Sequence, residues 1–245
     1  MTAQLDDRDV RAAVMAALST VRDPELDESI VDLGFVTKTA FAEGRVEVPL
    51  RLPTYFCAPN FAYLMVADAY DAVFAMEGVE EVSVVLEDHF AAAEINVGVA
   101  AGVGFVGSFP GEAADELQHL RVTFQRKAHT ACLERACTRL LEDGWVIERL
   151  SEARLSDLPD SPERSSLLKR RADLGLPQAA DSPVFVDDDG VPITAEQLPA
   201  RLRFARTVRV SVDGNAHFCR GLLTTRYPHA AADQRPRAYD RGATR

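Results

Sequence analysis

No apolar run in this 245-residue chain approaches the length that crosses a bilayer, so no membrane partner is expected. The opening MTAQLDDRDV lacks the basic start and apolar stretch of a secretory leader, and a cytoplasmic location is the expectation. Net positive charge is also missing. A formal charge of -11 opposes the field that phosphate contacts need, which sets nucleic acid aside despite the locally basic residues 235–245. Cysteine is sparse: Cys57, Cys132, Cys137 and Cys219 are scattered through a chain that, at 47% hydrophobic, can bury its own core. Free thiols or metal ligands are therefore expected in place of disulfides. There is no internal repeat.

Apolar residues at Val10, Val14, Leu18 and Val21 predict a helix over residues 7–21, stopped by Asp23-Pro24-Glu25. Residues 30–41 read as extended chain. A turn at Glu43-Gly44 then leads to Val46, Val48, Leu50 and Leu52, whose alternation marks a half-buried strand in a hairpin. A second helix starts near Pro59 and stops at Gly78, and residues 82–86 form a third strand. This helix-strand-strand-helix-strand order predicts an α+β fold, a small sheet with helices packed on one face. Beyond it, residues 91–150 hold a glycine-rich stretch, read as a loop or close-packed strand, and a long helix over 112–143. Residues 151–230 form a mixed α/β extension with a short helix near 167–174, a hairpin over 184–193 and a strand over 208–212. Residues 231–245 read as a disordered tail.

Three signatures stand in order in the first sixty residues: Asp23-Pro24-Glu25, Asp32-Leu33-Gly34-Phe35-Val36, and Leu52-Pro53-Thr54-Tyr55-Phe56-Cys57-Ala58-Pro59. Together they resemble the SUF-associated iron-sulfur assembly domain family over roughly residues 7–90. That family includes cytosolic cluster-targeting factors and the small protein of phenylacetate-oxygenase operons. The resemblance implies a compact α/β domain, a cysteine in a strand-to-helix loop, and a role in handling iron or an iron-sulfur cluster, held stably or in transit. Cys57 occupies that loop. A thiol just before a helix start also meets free backbone N–H groups that favour the thiolate, while the plainer reading is a small buried hydrophobe. Asp88-His89-Phe90 departs from the tryptophan-proline segment often found after the third strand in this family, so nothing past residue 90 follows from the resemblance.

Other groups remain open. Asp23, Glu25 and Asp32 read first as turn-holding carboxylates and second as polar support for a cation. His129 and Cys132 share a face of the long helix, as a two-ligand clip or as ordinary core. His217 and Cys219 would lie on one side of the 208–212 strand's continuation and could complete a site with Cys57. Gly102-Val103-Gly104-Phe105-Val106-Gly107 has dinucleotide-loop spacing, but Ser108-Phe109-Pro110-Gly111 delays the next helix. Asp187-Asp188-Asp189-Gly190 resembles a calcium loop, but Phe185 stands where the first ligand belongs, so a turn is expected. The expectation is an accessory maturation factor and not an enzyme, with a client metalloenzyme, plausibly an oxygenase component, as partner and homo-oligomerisation open. A metal-free adaptor and a nucleotide-dependent enzyme using residues 102–107 are the alternatives.

Overall fold

The computed structural model describes residues 7–111 and 114–228, so the tail expected over 231–245 lies outside the described residues. The chain divides into two compact units. The first comprises residues 1–117 and 215–245, and the second residues 118–214.

The first unit is the α+β domain. Helix α1 (Asp7–Leu18) precedes a three-stranded sheet of β1 (Ala40–Ala42), β2 (Arg45–Arg51) and β3 (Glu81–Glu87), in the order β1-β2-β3. Strand β1 is antiparallel to β2 and β3 is parallel to it, because α2 (Pro59–Phe74) makes the crossover. The alternation that predicts these strands is also their burial pattern. Val46, Val48 and Leu50 stand opposite Val82, Val84 and Leu86, all buried, while Arg45, Glu47, Glu81 and Ser83 face outward. Val14, Leu18, Ala62, Val66, Ala69 and Val73 from α1 and α2 belong to the same core. Residues 30–41 are less extended than expected. Leu33 N–H donates to Ser29 O, Phe35 N–H to Ile30 O, and only a bridge from Val36 to Leu50 joins the sheet before β1.

The glycine-rich stretch is helical, not a strand or loop. It forms α3 (Ala92–Ala100) and α4 (Gly104–Ser108), joined by a turn in which Gly102 and Gly104 have positive φ. Its small residues serve a close approach: a Cβ added at Gly98 would stand 1.7 Å from Ser108 Oγ. The segment follows a helix, so the strand that a dinucleotide loop requires ahead of it is missing from this place in the fold.

Helix α5 (Ala114–Glu142) carries the chain into the second unit, where 3-10 turns, α6 (Pro162–Leu174) and the first part of α7 (Leu198–Arg226) follow. Ser161 Oγ caps α6 by accepting from Arg164 N–H, and Gly175, at φ 67°, ends it. The hairpin expected over 184–193 reduces to a bridge between Val186 and Pro192, with Asp187 Oδ1 accepting from Asp189 and Val191 N–H. The strand expected over 208–212 is corrected: these residues lie inside α7. The alternation of Val208, Val210 and Val212 is a short coincidence within a longer helical stripe, since Leu198, Ala205, Val212, Ala216 and Leu223 are the buried positions. The extension is accordingly helical where mixed α/β was expected.

Arg171 organises the second unit. It is fully buried and donates to the carbonyls of Pro177 at 2.9 Å, Pro183 at 2.7 Å and Val184 at 2.6 Å. Burial pushes its guanidinium down to about 10, which still leaves it charged at neutral pH.

Candidate functional site

The loop from Leu52 to Ala58 runs from the end of β2 to the start of α2. Leu52 and Pro53 are buried anchors, Pro59 opens the helix, and Cys57 sits half-buried between them. Thr54 Oγ1 lies 3.3 Å from Cys57 Sγ. From the end of β3, the buried His89 reaches back to this loop: its Nε2 is 2.7 Å from the Cys57 carbonyl, and its Nδ1 accepts from Ala91 N–H at 3.2 Å. That pair of contacts assigns the proton to Nε2. Burial pulls the His89 pKa down, the hydrogen bond to Cys57 opposes this, and the Arg226 charge adds to the lowering. The ring is thus kept neutral, the form in which Nδ1 can accept. His89 holds the main chain of Cys57 in place.

Beside the thiol is an exposed aromatic cluster. The ring centroids of Tyr55 and Phe56 are 5.0 Å apart, those of Phe56 and Phe90 6.0 Å, and those of Tyr55 and Phe90 6.3 Å. Phe56 is 76% exposed, a large apolar area to leave in water beside a thiol.

The C-terminal half of α7 belongs to this unit and lies over the same loops. Asn215 Nδ2 donates to Glu25 Oε1 at 3.3 Å, and Arg220 pairs with Glu28. Nearly two turns further on, Arg226 donates to the carbonyls of Leu52 and Asp88, and Tyr227 OH to Asp88 Oδ2 at 3.1 Å. Cys219 falls between these anchors, packs half-buried on the same core as Cys57, and has its thiol pushed up to about 11, by burial first and then by Asp23, Cys57 and Glu25.

The sequence candidates therefore separate. Cys57, Cys219, Asp23 and Glu25 lie in one neighbourhood. His217 does not join them, because on a helix a residue two positions from Cys219 points to nearly the opposite side, and it is exposed. Asp23 serves its turn, Oδ1 accepting from Glu25 N–H at 2.8 Å and Leu26 N–H at 2.9 Å. Asp32 is exposed, and Ser29 Oγ holds that loop by accepting from Val31 N–H at 3.1 Å. His129 and Cys132 do share a face, but in the second unit, where both are buried and His129 Nδ1 is 3.6 Å from Asp188 Oδ1. Among the described residues no three His, Cys, Asp or Glu side chains are gathered closely enough to hold a metal ion. His89, Arg226 and the aromatic cluster were not singled out from the sequence. The usable signal was the position of Asp88-His89-Phe90 at the carboxyl end of a strand parallel to the one that precedes Cys57.

A compact α+β domain with a fixed, half-exposed thiol at a strand-to-helix loop defines the class. The iron-sulfur cluster assembly protein family matches residues 11–84. An uncharacterized protein of Methanocaldococcus jannaschii is 37% identical over 84 residues, which cover 34% of this chain and 86% of that protein. Through this N-terminal domain the chain belongs to the iron-sulfur cluster assembly family. No solved structure matches it. Among the described residues no helix is long and apolar enough to cross a membrane.

Proposed function

We propose that the protein is an accessory maturation factor that uses Cys57 to handle iron or an iron-sulfur unit on its way to a client metalloenzyme. The observation that carries this reading is the placement of Cys57, half-exposed on a loop fixed by Leu52, Pro53 and His89. A transfer site needs a ligand that is both positioned and reachable. The exposed rings of Tyr55, Phe56 and Phe90 support contact with the client beside the thiol. A multicomponent oxygenase component is the client class we favour, and the residues beyond the matched domain would supply the choice of client. The test is Cys57→Ala co-expressed with a multicomponent oxygenase: the client's iron content and turnover are expected to fall together. Full metallation and activity would remove the thiol from the mechanism.

The aromatic cluster also supports a second reading, a metal-free adaptor that grips its client through Phe56 and Phe90. Iron and sulfide analysis of anaerobically purified protein separates the two. Iron bound in the wild type and lost in Cys57→Ala favours the carrier; no iron, with the client still captured, favours the adaptor.

A further inference from the structure

The ladder between the parallel strands β2 and β3 ends at Arg51 and Glu87, whose side chains pair across it at 2.6 Å. Past that pair the strands part into the Leu52–Ala58 loop and the loop of Asp88, His89 and Phe90. Leu52 and Asp88, the next residues in register, lie beyond the ladder, and their carbonyls need another donor. One side chain serves both. Arg226 sends Nη1 to the Leu52 carbonyl at 3.1 Å and Nη2 to that of Asp88, a task that suits the planar fork of a guanidinium. Asp88 is also where the second chain turns away, at φ 48°, a left-handed conformation that is costly for a residue with a Cβ. Tyr227 OH holds its carboxylate at 3.1 Å, and the Tyr227 ring centroid lies 5.1 Å from the guanidinium carbons of both Arg51 and Arg226.

Farther out the two loops meet again. Phe90 N–H donates to Tyr55 O at 3.2 Å and His89 Nε2–H to Cys57 O at 2.7 Å, and the ring of Phe90 joins those of Tyr55 and Phe56. The exposed aromatic surface is therefore composite, drawn from two loops, and Arg226 closes the gap at its root. The turn that does this is lightly held. Leu223 is the last buried residue of α7; Thr224 and Thr225 are exposed, and Arg226 and Tyr227 are half-buried at the margin. We infer that Arg226 and Tyr227 form a strap that fastens the two loops together and opens without unfolding the sheet, setting how far Cys57 is exposed and whether the three rings present one surface. This deepens the reading of Cys57 as the working thiol and rests on it. A terminal helical turn opens at a lower free energy than the strands it lies on. With the strap closed, the rings stand together beside a half-buried thiol; with it open, the loops are left to the His89 and Phe90 bonds, and Cys57 is freer to reach a partner. Both strap residues stand outside the matched residues 11–84, so this control belongs to the present chain's extension.

The test uses the full-length reduced protein and needs neither metal nor client: amide hydrogen exchange read residue by residue, and the rate of Cys57 alkylation by iodoacetamide. Arg226→Ala should speed exchange of the Phe90 amide at least about tenfold and labelling of Cys57 at least about fivefold, while amides inside β2 and β3 keep their wild-type rates. Tyr227→Phe loses the hydroxyl's bond to Asp88 and keeps the ring, and should speed Phe90 exchange at least about twofold. Arg220→Ala, which cuts the tie of the same helix to Glu28, should leave the Phe90 and Cys57 rates as they are. Wild-type rates in either strap variant overturn the strap and leave the Cys57 reading standing. Acceleration spread through β2 and β3, or failure of Arg226→Ala to fold, makes the turn an inseparable part of the domain and also overturns it, as does an Arg220→Ala effect equal to that of Arg226→Ala. Failure of the Cys57 reading shows instead in the client's metallation, which these rates do not touch.

Discussion

The two units treat their thiols differently. In the first, Cys57 and Cys219 stay half-buried on a loop and a helix, packed at the edge of the core. In the second, Cys132 and Cys137 are inside the core, and burial with the Glu134 charge pushes Cys137 up to about 11. A charge is spent in opposite ways as well. The second unit buries a whole guanidinium, Arg171, to tie three carbonyls together, whereas the first keeps Arg226 at its margin, clamping the loops around Cys57. The half-buried thiols stand in the unit with open loops, and the buried ones in the unit closed around a buried charge.

The comparison can be broken most decisively at Arg171. Arg171→Ala leaves the carbonyls of Pro177, Pro183 and Val184 without their shared donor, and a loss of about 3–5 kcal/mol is expected. Urea denaturation followed through Trp145, the single tryptophan, which packs on the second unit's core, measures it. A loss within experimental error would mean that the buried charge is not organising that unit. Alkylation sharpens the contrast between thiols. With limiting iodoacetamide at neutral pH and peptide mapping, Cys57 should label at least about a hundredfold faster than Cys132 and Cys137, which react only when the core opens. Equal rates would erase the distinction.

The smallest effect concerns His89. His89→Ala should cost about 1 kcal/mol near pH 8, the worth of its hydrogen bond to Cys57. Because the folded pKa lies below the unfolded value of about 6.5, the unfolded chain takes up the proton first as pH falls. The stabilisation from the neutral ring is complete above about 6.5 and is lost as pH drops through the lower folded value. The wild-type advantage over His89→Ala should therefore shrink toward pH 5. A pH-independent difference would show that the ring acts only by filling space.

Much of the first unit was legible because its signals are local. Val46, Val48 and Leu50 alternate over one strand, Val10, Val14 and Leu18 repeat over one helix, and Cys57 stands in a recognisable loop. The misses occurred where long-range packing decides. In α3 and α4, small residues chosen for the Gly98–Ser108 approach carry no clear period, so the segment read as a loop or strand. In α7, three β-branched residues in alternation outweighed a stripe visible only over some twenty-five positions. Cys219 was singled out from the sequence on the basis of a strand that does not exist; a helix brings it to the same neighbourhood and leaves His217 outside. His89 gave little local sign, since its role depends on the parallel pairing of β3 with β2, which returns residue 89 to residue 57.

The anchoring of Asn215, Arg220 and Arg226 on the first unit has a consequence in time. The loop bearing Cys57 leaves the ribosome 162 residues before Cys219 (219 less 57), an interval of roughly 8–30 s at ordinary elongation rates. Throughout it the nascent domain lacks Ala216 and Leu223 from its core and the Arg226 clamp from its loops. Completion of the domain thus waits for the synthesis of α7, so a chain stopped before residue 215 would have its Cys57 loop without the helix that finishes it.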